Sequence, residues 1–133
     1  MSPPDRLRPP PDERLAAPVT VVDLSATARR LRAEPHAAVS GHRQIAVFRH
    51  GPVTLVSFAF DAGGALKQHH AEGVVTIHAI SGHLRVMAGG TSHDLHAGQL
   101  IGLATSVPHT VEAIEASEML LTVCLDSRIR GEP

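Results

Sequence analysis

From Gln44 onward, apolar residues come in short runs of four to eight, each ended by glycine, proline or a small polar cluster. Ile45–Phe48 and Val53–Phe60 flank Arg49-His50-Gly51-Pro52, the composition of a hairpin. Asp61-Ala62-Gly63-Gly64 reads as a turn. Val74–Ile80 reads as a strand, and Ser81-Gly82 turns it into His83–Met87. Ala88-Gly89-Gly90-Thr91 leads to Ser92–Leu95, and Ala97-Gly98 to Gln99–Leu103. Val107-Pro108 enters Thr110–Ile114, and Met119–Leu125 closes the series. Many short strands at near-regular spacing predict an all-β sandwich or small barrel. A parallel sheet would need crossover helices, which this pattern does not provide.

The N-terminal third has a different texture. Residues 1–18 hold six of the ten prolines and mixed charge, which predicts an irregular or disordered arm. Residues 19–43 are expected to hold a strand over the β-branched run Val19–Leu24, then a short helix. Ser25 is its expected N-cap, the helix running from Ala26 to about Ala33 with Pro35 as its stop. The barrel is expected over 44–126 and a tail over 127–133. No apolar leader follows Met1-Ser2-Pro3-Pro4-Asp5, and no run reaches membrane-spanning length, so a cytoplasmic protein is expected.

Composition narrows the function classes. At 133 residues and 43 % hydrophobic, the chain suits one domain with an apolar core. It has three Phe and neither Tyr nor Trp, which argues against a base-stacking platform. A net charge of −1 gives no basic field for nucleic acid or anionic membrane. The Arg29, Arg30 and Arg32 cluster reads as a solvated helix face. The single cysteine, Cys124, excludes an intramolecular disulfide and reads as a buried structural thiol in an apolar run.

The histidines are the candidate chemistry. His69 and His70 are adjacent at the start of an expected strand, and His109 follows about forty residues later. Neutral imidazole is the commonest protein ligand for zinc, copper, nickel and iron. Two ligands from one hairpin and one from a later strand would make a metal site in a small barrel. His83, His93 and His96 are expected to be solvated, as are His36, His42 and His50. Glu112, Glu115 and Glu118 are expected to keep the last hairpin soluble.

Residues 44–125 resemble the cupin family, the double-stranded β-helix or jelly-roll barrel. That family's first motif runs Gly, five residues, His-x-His, three or four residues, Glu, six residues, Gly. Counting back from Gly82, the Glu place falls on Val75. A three-residue gap puts the histidine places on His69 and Ala71, with Gly63 opening the motif. A four-residue gap puts them on Gln68 and His70 and the opening place on Ala62, so Gly63 favours the first count. The second motif opens at Gly98 and lands its histidine on His109, with Ala104, Ser106 and Ala113 in place of its Pro, Gly and Asn.

The resemblance implies a divalent transition metal (zinc, iron, nickel, copper or manganese) held by His69 and His109. His70, Glu72 or His78 are the candidates to complete the set; on an ideal strand His78 falls on the face opposite the Glu place. By strand parity, Val75, Ile77, Ala79, Ile101 and Leu103 are the expected lining of a small apolar pocket. Two readings follow: a metal-dependent dioxygenase or isomerase acting on a small ligand, or a non-catalytic small-molecule binding or sensing cupin without metal. The resemblance also implies a homodimer formed through a sheet edge.

Overall fold

The computed structural model describes residues 8–69 and 73–125. Two antiparallel sheets face each other. The elements in chain order are α1 (Pro11–Arg14), α2 (Leu24–Ala33), β1 (His42–His50), β2 (Val53–Phe60), β3 (Ala65–His69), β4 (Gly73–Ser81), β5 (His83–Ala88), β6 (Thr91–His96), β7 (Leu100–Leu103), β8 (His109–Ala113) and β9 (Ser117–Leu125). One sheet has the order β1-β2-β9-β4-β7 and the other β3-β8-β5-β6. Apart from the β1–β2 and β5–β6 hairpins, neighbours in space are far apart in sequence, as in a jelly roll.

Period-two alternation decides which side chains fill the space between the sheets. On β4, Val75, Ile77 and Ala79 are buried while Val74, Thr76 and His78 are not. On β5 the buried set is Leu84, Val86 and Ala88, and on β8 it is His109, Val111 and Ala113. Phe58 and Phe60 of β2 stack inside with ring centroids 5.7 Å apart, and His42 packs against both. His42, expected on the surface, instead closes one end of the core, with Nδ1 3.1 Å from the Ala65 carbonyl.

Tight turns occur where the glycines predict them. Gly89 and Gly90, at φ +60° and +79°, form a two-residue β5–β6 hairpin loop. Gly82 does more than turn. At φ +83° it lies against β9, where a Cβ would come within 2.2 Å of Ser117 Oγ. Ser117 is fully buried; its hydroxyl accepts from His83 N–H at 3.0 Å and donates to the Glu115 carbonyl at 2.8 Å.

The N-terminal expectations need correction. Residues 19–24 form no strand. Val19 and Val21 are exposed and no neighbouring strand offers them a ladder, so their β propensity has nothing to pair with. The helix starts at Leu24, one residue before the expected cap. Asp23, not Ser25, is the N-cap, its carboxylate accepting from Ala26 N–H at 2.9 Å. Pro35 does stop the helix: Glu34 before it is extended, as the residue before proline prefers.

The described part of the arm, residues 8–18, is irregular apart from one short helical segment. It contains α1, and Arg8 and Arg14 tie it down. Arg8 reaches Glu34 and the Gln44 carbonyl, while Arg14 reaches the Ala46 carbonyl. The arginines of α2 are not merely a solvated face. Arg32 donates to the Phe60 and Ser117 carbonyls and so fastens the helix to the end of the five-stranded sheet. Cys124 is half-buried rather than buried.

Candidate functional site

His109 begins β8 and points between the sheets, with only 2 % of its surface exposed. The turn before it sets its ring. Ser106 has φ +65°, at the place where the cupin motif has glycine. Val107 follows, and its carbonyl lies 3.0 Å from His109 Nδ1. A carbonyl can only accept, so Nδ1 carries a proton, and in the neutral form of the ring the lone pair is on Nε2. A backbone carbonyl holding one ring nitrogen in this way is how metal-binding histidines are commonly fixed in tautomer and orientation.

β3 brings the second histidine into register. Leu66 pairs with Val111, and His69 pairs with His109. Three steps on β3 therefore match two on β8, which defines a bulge of one residue between Leu66 and His69. Without it, Gln68 would stand opposite His109 and His69 would fall opposite Pro108. The bulge moves His69 onto the register position of an inward-facing residue. It also corrects the expected placement: His69 ends β3 rather than starting a strand.

The other candidates separate. His70 and Glu72 lie outside the described residues. His78 alternates with Ile77 and Ala79, which face the core, so it sits on the outer face of β4 and leaves the candidate ligand set. Val75, at the Glu place of the motif, is buried at 3 % and faces inward, as an apolar residue where a carboxylate would ligate. Among the described residues, no group of three or more His, Cys, Asp or Glu side chains could hold a metal ion.

The expected pocket lining is core. Val75, Ile77, Ala79 and Leu103 belong to one buried apolar cluster, with Ile101 packed against it. Their parity was read correctly, but they fill the barrel instead of facing an open pocket. A cavity of about 260 Å³ lies at the rim, bordered by Ala88, Gly89, Pro108 and His109. On the outer face of the second sheet, His83 Nε2 is 2.8 Å and Arg85 Nε 3.1 Å from Asp94 Oδ1. The His83 hydrogen bond, with Arg85, holds the Asp94 carboxyl below its usual range. No helix among the described residues is long and apolar enough to cross a membrane.

Two features of the site escaped sequence reasoning: the β3 bulge and the positive φ of Ser106. A bulge leaves no residue-type signature here. Ser106 had one, since it stands where the resembling family has glycine.

No protein-family model matches the chain, and no curated protein does. Solved structures do match. A conserved Streptococcus pyogenes protein of unknown function is 22 % identical, over 80 % of this chain and 87 % of its own, with a TM-score of 0.65. A cupin superfamily protein from Desulfitobacterium hafniense is 16 % identical, over 72 % and 88 %, at 0.63. Salicylate 1,2-dioxygenase from Pseudoaminobacter salicylatoxidans is 16 % identical, over 80 % of this chain and 33 % of its own, at 0.66. Such identities speak to fold. Together with the strand order and the His109 corner, they make the chain a cupin by fold, a double-stranded β-helix.

Proposed function

We propose that this protein is a small metal-binding cupin whose centre lies at the His69–His109 end of the barrel. One observation carries the reading. The bulge in β3 sets His69 opposite His109, whose Nδ1 is held by the Val107 carbonyl. That donor chemistry suits a borderline divalent ion: zinc, iron, nickel, copper or manganese. Two imidazoles alone bind weakly, and catalytic sites commonly use three protein ligands with one position open. The third donor is assigned to His70 or Glu72, directly after His69 in sequence.

When bound, such an ion acts as a Lewis acid on a substrate oxygen. The chain's own contribution is a histidine fixed in one tautomer and an apolar wall that keeps water from the inner side. The reaction class is a dioxygenation or isomerisation of a small ligand. The likeness to a salicylate 1,2-dioxygenase supports the former.

A second reading, a binding or sensing barrel without turnover, is favoured by the rim cavity. At about 260 Å³, against the roughly 300–1,000 Å³ of drug-sized sites, it borders His109 and would admit only a very small ligand. We extend either reading to a homodimer. The resemblance implies pairing through a sheet edge, and β7, an edge strand of the five-stranded sheet, carries the exposed Leu100.

Elemental mass spectrometry on tag-free protein tests the metal. About one equivalent in the parent, lost on His69→Ala and on His109→Ala, is expected. No metal in the parent after incubation with each of the five ions would leave the non-catalytic reading.

A further inference from the structure

Outside the barrel, the N-terminal arm, α2 and the outer side of β1 border a second cavity of about 610 Å³ that is open to solvent. This falls within the size range of small-molecule sites. Leu15 comes from the arm, Val22 from the segment before α2, Leu31 from the helix, and Ile45 and Val47 from β1. Between them they offer an apolar wall on three sides.

The charges lining the same cavity do not balance. Its two carboxylates are already committed. Glu34 accepts from Arg8 Nε and Nη2 at 3.0 and 2.9 Å, and Asp23 caps α2 through Ala26 N–H. Arg14 and Arg30 also line it. Among the described residues, neither has a carboxylate partner. Arg14 donates to the Pro9 and Ala46 carbonyls, and Arg30 to the Thr27 hydroxyl. Each guanidinium has five N–H donors, so each keeps some for a ligand. Burial, then the nearby Arg8 and Arg49, holds the Arg14 pKa below its usual value. Positive charge therefore accumulates beside an apolar wall, where an anion would offset it.

We propose that this cavity is a binding site for a small amphipathic anion, a carboxylate or sulfonate on an apolar ring or chain. The head group is bound by Arg14 and Arg30, and the apolar body lies against Leu31, Ile45 and Val47. Guanidinium forks match planar or tetrahedral oxyanions with two hydrogen bonds each. The site does not depend on the barrel centre, because it is built on the opposite side of the five-stranded sheet from the core.

The probe is 1-anilinonaphthalene-8-sulfonate, titrated into the full chain and followed by fluorescence. The absence of Trp and Tyr leaves little intrinsic background. One equivalent is expected to bind. Arg30→Gln is expected to weaken it at least tenfold, and Val47→Trp to abolish it by filling the cavity. N-phenyl-1-naphthylamine, the same ring system without the sulfonate, is expected to bind at least tenfold more weakly. His93→Ala, on β6 of the other sheet, is expected to leave the probe's affinity unchanged. Far-UV circular dichroism melts establish that each variant is folded; if Val47→Trp is not, Arg14→Lys replaces it, with at least a threefold loss expected. Three outcomes overturn the proposal: no binding by the folded parent, parent-like binding by folded Arg30→Gln, or equal affinity for the uncharged probe. Binding that appears only after removal of residues 1–7 also overturns it, assigning the cavity to the chain's own N-terminus.

Discussion

His69 ends β3 directly opposite His109 on β8, and a single extra residue in β3 puts it there. Leu66 and Val111 pair just before the bulge, so an apolar pair anchors the register and the histidine pair follows from it. If the pair holds a metal, removing either imidazole should release the ion. His69→Ala and His109→Ala should each fall from about one equivalent to none by elemental mass spectrometry. His78→Ala, on the outer face, should retain the parent's content. Loss in His78→Ala would mean that the β4 face assignment is wrong.

Ser106 holds a left-handed backbone without being glycine. A non-glycine residue pays roughly 1–2 kcal/mol there, partly offset by the entropy glycine loses on folding. Ser106→Gly should therefore stabilise the fold by about 1 kcal/mol, raising the thermal midpoint by about 4 °C. A lower midpoint would show that the Ser106 side chain contributes more to stability than its backbone strain costs.

Gly82 and Ser117 occupy one crowded contact between the β4–β5 turn and β9. Ser117→Ala removes the acceptor for the His83 N–H and should cost about 2 kcal/mol. Gly82→Ala adds both a clash and positive-φ strain and should cost roughly 3 kcal/mol. Chemical denaturation measures both, and the reverse order of the two losses would contradict this geometry.

The Arg8 hydrogen bond holds the Glu34 carboxyl below the usual glutamate range. A depressed folded-state pKa stabilises the fold fully above the unfolded value. That contribution is lost as pH falls through the folded one. Both side chains are partly exposed, at 32 % and 18 %, so screening keeps the effect small. Arg8→Ala should cost about 1 kcal/mol at neutral pH, and in acid below the folded value the difference from the parent should shrink to what the Gln44 carbonyl hydrogen bond contributes. A melting-temperature gap that does not change with pH would mean that Arg8 acts only through the Gln44 carbonyl.

The chain's own order of residues determined the fold class. Strands from Val53 to Phe60 and from His83 onward, and the turns at Gly82, Gly89-Gly90 and Gly98, are local events. Period-two burial and positive φ are written in residue type at each position. The same logic placed Val75, Ile77 and Ala79 inward, while the place of His109 came from the resemblance to the second cupin motif. Tertiary structure decided the rest. Whether Val19–Leu24 became a strand depended on a partner that this fold does not place beside it. Where the described part of the N-terminal arm lies depended on the Glu34 carboxylate and the β1 carbonyls that Arg8 and Arg14 reach. Whether His69 stood opposite His109 in the β3–β8 register depended on one bulged residue, which shifts the pairing without changing composition. Contacts between residues distant in sequence carry these choices, and only folding brings those residues together.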